Sequence, residues 1–234
     1  MRAVVCIPTY NERENLPALV EEILAVSSAD VMVLDDASPD GTGEAADHLA
    51  ANDVRVAVVH RTAREGIGAA DLDGFRRALE AGYEVIVQMD GDFSHQPRHL
   101  PALLAALNDG ADVAIGSRYV GGAQIPKWSA GRRALSRAGN VFARAVFRMP
   151  QLDLTSGFTA FRRHVLEAIE LESVRPDSYA FQLELKYRAY RRGFTLVEVP
   201  IVFFDRVVGA SKLESQKLAE AVVRVFDLRI RGAA

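Results

Sequence analysis

The sequence contains a single cysteine among its 234 residues, which excludes an internal disulfide framework and a zinc site built from cysteines. That residue, Cys6, lies inside the apolar run at residues 3–7. Because a chain without disulfides suits a reducing environment, we expect the protein to work in the cytoplasm.

A long hydrophobic run is also missing. No stretch approaches the roughly 20 apolar residues that a membrane-spanning helix needs, and the chain opens on a strand-like segment that does not resemble a signal peptide. We therefore expect any membrane contact to be peripheral, on the cytoplasmic face, or to be made by a separate membrane subunit.

The sequence has no excess of positive charge. It carries 28 Lys and Arg against 31 Asp and Glu, a formal net charge of -3, whereas a dedicated nucleic-acid binder is usually basic. We predict no nucleic-acid partner. Hydrophobic residues make up 49% and charged residues 25%, which is ordinary for a globular protein, and the length suits one domain with a full core.

Short apolar segments rich in valine and isoleucine alternate with amphipathic ones. The apolar segments are predicted strands: Ala3–Ile7, Val31–Leu34, Val54–Val59, Val85–Met89 and Val113–Ile115. Between them, helical periodicity covers residues 13–26, 41–52, 67–82 and 98–108. This order predicts an α/β domain whose mostly parallel sheet is covered by helices on both faces.

The rhythm changes after Gly116. We predict helices at about 130–148 and 178–192, a last strand at Thr195–Phe204, and a helical tail at about 213–230. The chain then divides into a main domain, residues 1–212, and a C-terminal amphipathic helix within 213–234. That helix packs on the domain or lies at the membrane surface, and its pattern fits both.

Acidic residues follow two of the predicted strands, as Asp35-Asp36 and Asp90-Gly91-Asp92. Ligands of open parallel sheets bind beyond the carboxyl ends of the strands, and hard carboxylate oxygens suit Mg²⁺ or Mn²⁺. An isolated Asp-X-Asp is more often a solvated turn. The position of this one after a buried strand favours a metal site.

Positive charge is concentrated in one region. Residues 113–152 contain no acidic residue, and they carry the basic residues Arg118, Lys127, Arg132, Arg133, Arg137, Arg144 and Arg148. Periodicity alone fits a helix with a solvated basic face equally well, but the missing counter-charges favour a phosphate-rich partner or an anionic membrane surface. Further on, Arg206 and Lys212 flank a glycine-containing loop that could close over a diphosphate.

Several segments together resemble the polyprenol-phosphate mannosyltransferases (dolichol-phosphate mannose synthases), inverting enzymes of glycosyltransferase family 2 with a GT-A fold. The resemblance spans nearly the whole chain. The matching segments are residues 8–16 (PTYNERENL), 35–42 (DDASPDGT), 89–95 (MDGDFSH), 116–119 (GSRY), 153–158 (DLTSGF) and 205–213 (DRVVGASKL).

The resemblance implies that residues 1–212 form a catalytic domain that transfers mannose from GDP-mannose to a polyprenyl monophosphate, with inversion. It implies a guanosine site at Pro8, Tyr10, Glu12, Leu34 and Asp36. It implies a Mg²⁺ or Mn²⁺ site at Asp90 and Asp92 beside the backbone of Gly91. It also implies donor-phosphate contacts from Arg206 and Lys212, and an acceptor-phosphate site at Arg118 and Arg132.

Three alternatives remain open from the sequence. The donor could be UDP-glucose, or the chain could be a non-catalytic module that binds a nucleotide sugar. A nicotinamide oxidoreductase is disfavoured, because Gly66-Ile67-Gly68 lacks the third glycine of a dinucleotide fingerprint and does not follow the first strand.

Overall fold

The computed structural model describes residues 1–176, 180–204 and 215–231, with side chains of the last segment described for 222–230. The strands are Ala3–Thr9 (β1), Asp30–Asp35 (β2), Val56–His60 (β3), Val85–Gln88 (β4), Val113–Ser117 (β5), Thr159–Arg162 (β6) and Leu196–Pro200 (β7). The α-helices are Leu16–Val26 (α1), Thr42–Asn52 (α2), Ile67–Glu80 (α3), Leu100–Asn108 (α4), Ala130–Phe147 (α5), Arg163–Ala168 (α6), Phe181–Arg191 (α7) and Ser215–Arg231 (α8).

The strands form one sheet in the order β3-β2-β1-β4-β6-β5-β7. β1 pairs in parallel with β2 and β4, β2 with β3, and β5 with β7. β6 runs antiparallel to both of its neighbours, β4 and β5. The mostly parallel sheet predicted from the sequence is therefore confirmed.

Hydrophobic clusters cover both faces of the sheet. Alternate residues of β1 point to opposite faces, so Val4 and Cys6 belong to one cluster and Val5 and Ile7 to the other. Cys6 is fully buried and its thiol is free, and burial raises the pKa of that thiol. The two-sided burial explains why the parallel strands are continuously apolar in sequence.

The sequence missed β6 and α6. β6 is only four residues long, and its residues Thr159 and Arg162 interrupt the apolar pattern that identified the other strands. The predicted last strand was too long: β7 ends at Pro200, and beyond it Val202 and Phe203 make isolated bridges to Gln124 and His95. These bridges bring the chain after β7 close to the chain after β4.

The C-terminal helix packs against the domain. Val225 and Leu228 of α8 are buried, Phe226 lies against Phe142 of α5 with ring centroids 5.6 Å apart, and Arg224 donates to Glu184 of α7 at 2.8 Å. The boundary predicted at residue 212 lies outside the described residues. Within the described part of the chain, no helix combines the length and apolarity needed to cross a membrane.

Substitution by alanine should have opposite effects on stability at two glycines that lie in helices. A Cβ at Gly68 would stand 2.1 Å from the carbonyl oxygen of Pro176, whereas a Cβ at Gly139 would meet nothing within 4 Å. We expect Gly68→Ala to lower the free energy of unfolding by about 2 kcal/mol through overpacking. Gly139→Ala should instead raise it by about 0.5 kcal/mol, because alanine loses less backbone entropy in a helix. Urea titrations of the two variants would measure both effects, and equal effects would contradict the packing at Gly68.

Candidate active site

The candidate site lies at the carboxyl edge of the sheet, where β1, β2 and β4 end side by side. Backbone hydrogen bonds continue past the strand ends: Asp36 N donates to Thr9 O at 2.9 Å, and Met89 N donates to Cys6 O at 3.1 Å. The chain segments that leave these strands therefore start next to one another. This is the edge at which open α/β sheets bind ligands.

The turn after β4 carries the two predicted metal ligands. The carboxylate of Asp92 is buried and accepts from Ser94 N at 3.0 Å. Asp90 N donates to His95 Nδ1 at 3.1 Å, and Asp90 Oδ2 lies 3.7 Å from the same nitrogen. Phe93 takes a left-handed backbone conformation with φ of 58°. The chain thus turns back so that His95 contacts Asp90.

The residues of this turn fit a hard divalent cation. Asp90 and Asp92 offer carboxylate oxygens, and Ser94 Oγ is buried without a hydrogen-bond partner in the described part of the chain. Among the described residues, no group of three or more His, Cys, Asp or Glu side chains could hold a metal ion. A cation at this turn would therefore complete its coordination with water and ligand oxygens, which is common for Mg²⁺.

His95 joins this turn to a row of aromatic rings. Its imidazole stacks on Phe158 at 5.2 Å and meets the edge of Phe203 at 5.5 Å between ring centroids. Burial lowers the pKa of His95, against the opposing charges of Asp90 and Asp92. A neutral imidazole whose Nδ1 accepts a hydrogen bond carries its proton on Nε2. No role was predicted for this histidine, although it lies in segment 89–95, which carries the family resemblance.

The aromatic row leads to the two predicted acceptor-site arginines. Trp128 meets Phe203 edge-on at 5.5 Å. The guanidinium carbon of Arg118 lies 5.7 Å from the Trp128 ring and that of Arg132 lies 4.5 Å from it. The structure therefore brings Arg118 and Arg132 together, beside the aromatic residues that surround His95.

Arg118 is fixed by a buried carboxylate. Its Nε and Nη2 donate to the two oxygens of Asp153 at 2.7 Å each, its backbone N adds a bond of 2.9 Å, and Nη2 also donates to Thr155 Oγ1 at 2.7 Å. Burial opposes both charges, but each partner outweighs it, so the pKa of Arg118 is raised and that of Asp153 is lowered. No individual role was predicted for Asp153, which was named only as part of segment 153–158.

The predicted nucleoside residues occupy the other end of the edge. Asp36 accepts from the Arg61 side chain and from Glu65 N at 3.2 Å and Gly66 N at 2.8 Å. The guanidinium of Arg64 lies 3.8 Å above the Tyr10 ring. Segment 61–66, for which the sequence predicted no role in binding, therefore covers both Asp36 and Tyr10.

The other residues predicted to bind the nucleoside differ in burial and in hydrogen bonding. Leu34 is fully buried, with its side chain against Gly74, so only its backbone carbonyl faces Thr9 Oγ1 at 3.4 Å. Glu12 accepts from Asn15 Nδ2 at 2.8 Å. Pro8 is buried within β1. Leu34 could therefore contribute only its backbone to a nucleoside site.

The backbone at Gly91 lies close to β1. A Cβ there would stand 3.3 Å from Thr9 Cγ2, so a small residue fits the turn between the two aspartates.

Arg206 and Lys212, predicted to contact the donor phosphates, lie outside the described residues.

Comparison with known proteins agrees with this geometry. The model of the family "Glycosyl transferase family 2" matches residues 4–170. A polyprenol monophosphomannose synthase of Mycolicibacterium smegmatis is 47% identical over 99% of this chain and 88% of its own length. An undecaprenyl-phosphate mannosyltransferase of Micrococcus luteus is 46% identical over 96% of this chain and 93% of its own.

This chain belongs to glycosyl transferase family 2. Its fold is that of the GT-A glycosyltransferases. A mannosyltransferase from Pyrobaculum calidifontis, solved in complex with GDP-Man and Mn²⁺, superposes with a TM-score of 0.68 at 23% identity, over 98% of this chain and 64% of that one. At that identity the likeness concerns the fold.

From the buried ion pair of Arg118 and Asp153, we expect the variant Asp153→Asn to lose stability in a pH-dependent way. At pH 7 we expect the free energy of unfolding to fall by about 3 kcal/mol or more, because a buried Arg118 would lose its counter-charge. Arg118 lowers the pKa of Asp153 in the folded protein. The pair therefore contributes fully above the carboxyl pKa of the unfolded chain, about 3.9, and its contribution is lost as the pH falls through the folded pKa.

Urea titrations at pH 7 and at pH 3 would test this, with the two proteins expected to converge in acid. The control is Asp53→Asn, which removes the carboxylate of a pair with Arg55 at the surface and should change the midpoint little. A constant difference between wild type and Asp153→Asn at both pH values would contradict the assignment.

Proposed function

We propose that this chain transfers mannose from GDP-mannose to a polyprenyl monophosphate, giving polyprenyl-phosphate mannose and GDP with inversion at the anomeric carbon. One observation carries the proposal: the two relatives above share nearly half of their residues with this chain over almost their full lengths, and both are named as enzymes of this type. The site geometry supports the same chemistry.

The donor end of the site is the edge formed by Tyr10, Asp36 and the turn after β4. We assign the nucleoside to Pro8, Tyr10, Glu12 and Asp36, and the diphosphate to the turn at Asp90, Gly91 and Asp92. A Mg²⁺ or Mn²⁺ ion held by Asp90 and Asp92 would neutralise negative charge on the leaving diphosphate. Support for Mn²⁺ comes from the fold relative that was solved with that ion.

We assign the acceptor phosphate to Arg118 and Arg132. Both guanidinium groups lie at Trp128, and Arg118 is held in place by the two-point contact with Asp153. A guanidinium offers paired donors that match phosphate oxygens. An arginine whose orientation is already fixed loses little further freedom when the phosphate binds.

A phosphate acceptor would make a general base unnecessary. A phosphate monoester is an anion at neutral pH, so the attacking oxygen carries no proton that must be removed. His95, the buried imidazole of the site, is packed between two phenylalanine rings and kept neutral by burial. Catalysis would then depend on alignment and on charge stabilisation.

We further propose that α5 and α8 hold the protein at the cytoplasmic surface of a membrane, where the lipid acceptor resides. These neighbouring helices leave several apolar side chains in contact with solvent: Leu135, Val141, Val223, Phe226 and Ile230. The same region contains arginines of the stretch without acidic residues. Apolar side chains beside arginines suit an anionic lipid surface. A separate membrane subunit could cover the same side chains.

The first test is a transfer assay with purified protein, GDP-mannose, Mn²⁺ and a short, water-soluble polyprenyl phosphate. We expect a mannosyl phospholipid, and we expect Asp92→Asn to lower its rate about a hundredfold at limiting Mn²⁺, equivalent to about 3 kcal/mol of transition-state stabilisation. Asp109→Asn, an exposed aspartate after α4, is the matched control with an unchanged rate.

Three outcomes would contradict parts of this proposal. Product from UDP-glucose but not from GDP-mannose would replace the donor. Nucleotide binding without any transfer would make the chain a non-catalytic module. An unchanged rate for Asp92→Asn would remove the metal assignment.

The second test is sedimentation with vesicles that contain anionic lipid. We expect wild-type protein to sediment, and we expect the double variant Val223→Asn/Ile230→Asn to bind about tenfold more weakly, because two exposed apolar side chains no longer enter the bilayer interface. Val54→Asn is the control, since Val54 is also exposed but lies before β3. The soluble short acceptor should be used at the wild-type rate by all three proteins.

Equal sedimentation of the double variant and wild type would show that α8 does not bind lipid. A loss of binding in the Val54 control alone would locate the lipid contact elsewhere.

A further inference from the structure

Three polar side chains are buried behind the candidate site. The proposed reaction assigns no role to any of them. Asp71 comes from α3, Gln88 from the end of β4 and Lys186 from α7, and all three are fully buried. We call them the buried polar cluster. A core position is usually apolar, so a charged lysine at such a depth needs a specific partner.

The lysine is bound to the backbone of the site. Lys186 Nζ donates to Ser156 O at 2.7 Å and to Gln182 O at 3.3 Å. Gln88 Nε2 donates to Asp71 Oδ2. Lys186 therefore connects α7 with the segment 153–158, whereas Gln88 connects α3 with β4.

The segment 153–158 touches both halves of the candidate site. At its start, Asp153 holds Arg118 through two hydrogen bonds. Near its end, Gly157 is so close to the metal turn that a Cβ there would stand 3.3 Å from Asp90 Oδ1 and 3.4 Å from His95 Cε1. Between these two points, Ser156 donates to Gly116 O at 2.6 Å.

We propose that Lys186 is a positioning residue for the transfer reaction, because its Nζ donates to the carbonyl of Ser156 and so fixes segment 153–158 between Asp90 and Arg118. The expected effect of Lys186 on transfer rests on the proposed function. The effect of Lys186 on the position of segment 153–158 does not depend on the proposed function. Lys186 itself does not touch substrate in this assignment; it acts through the backbone of Ser156 and Gly157.

Lys186 lies among other buried ionisable groups. Burial lowers the pKa of Lys186 to about 7, against the opposing charge of Asp153. Burial, together with the charge of Asp90, raises the pKa of Asp71 well above its usual range. The competing explanation is that Lys186 only neutralises Asp71, a buried charge with no catalytic consequence.

The test compares Lys186→Met with wild type, since methionine keeps the length of the side chain and removes the donor. We expect kcat to fall at least tenfold, as is typical when the support of a site residue is lost. We also expect hydrogen exchange at the amides of Leu154 and Phe158 to accelerate about tenfold, because the segment opens more often. Arg191→Met, an exposed arginine on the same helix, should change neither.

A double variant separates the two explanations. Asp71→Asn/Lys186→Met contains neither buried charge, so its stability should recover relative to Lys186→Met. We expect its kcat to stay low and its exchange at Phe158 to stay fast, because the bond to Ser156 is still missing. Recovery of wild-type kcat and exchange in the double variant would overturn the proposal, and so would unchanged exchange in Lys186→Met.

The exchange measurement keeps this inference distinct from the proposed function. If wild-type protein transfers no mannose, the proposed function fails, while faster exchange at Phe158 in Lys186→Met would still support the positioning of segment 153–158. If wild-type protein transfers mannose and Lys186→Met does so equally fast, only the inference about Lys186 fails.

Discussion

The candidate site depends on the buried ion pair between Arg118 and Asp153. Two charges taken out of water stabilise a structure only when their geometry is good and their remaining hydrogen-bonding groups are occupied. Here both carboxylate oxygens are used and Thr155 takes a further donor of the guanidinium. The pair keeps a positive charge inside the protein close to Asp90 and beside Trp128. Without Asp153, the same arginine would have to reach solvent, and the acceptor end of the site would lose its fixed orientation.

The two ends of the site are built differently. At the proposed donor end, Asp36 accepts hydrogen bonds from Arg61 and from two backbone amides of the covering segment 61–66. At the proposed acceptor end, Trp128 and Phe203 form an apolar wall next to the guanidinium groups. A polar, hydrogen-bonded end suits a nucleotide, whereas a wall of rings next to positive charge suits a phosphate attached to a lipid chain.

Much of the fold could be predicted from sequence because its central strands are buried on both faces and are therefore continuously apolar. β6 could not, since its four residues include Thr159 and Arg162 and it is defined by its neighbours rather than by its own pattern. For the candidate site, the aspartates after β4 were recognisable as a local motif, whereas the family resemblance singled out Arg118 and Arg132 from the basic region. The burial of the Leu34 side chain could not be predicted, because the pattern of a fully buried strand does not indicate which side chains face the edge. Lys186 was given no role because α7 carries several charged residues, and their pattern does not show that Glu184, Lys186 and Arg188 are all buried.

The reversed direction of β6 has a consequence for how this protein can vary. Loops that follow parallel strands reach the binding edge one at a time, so each can change length independently of the others. β6 is antiparallel to its neighbours, so the loop that precedes it, rather than the loop that follows it, lies at the binding edge. That loop leads into β6 between β4 and β5. Variation in length among similar sequences should therefore be more frequent in loops that follow the parallel strands, while residues 153–158 keep a constant length.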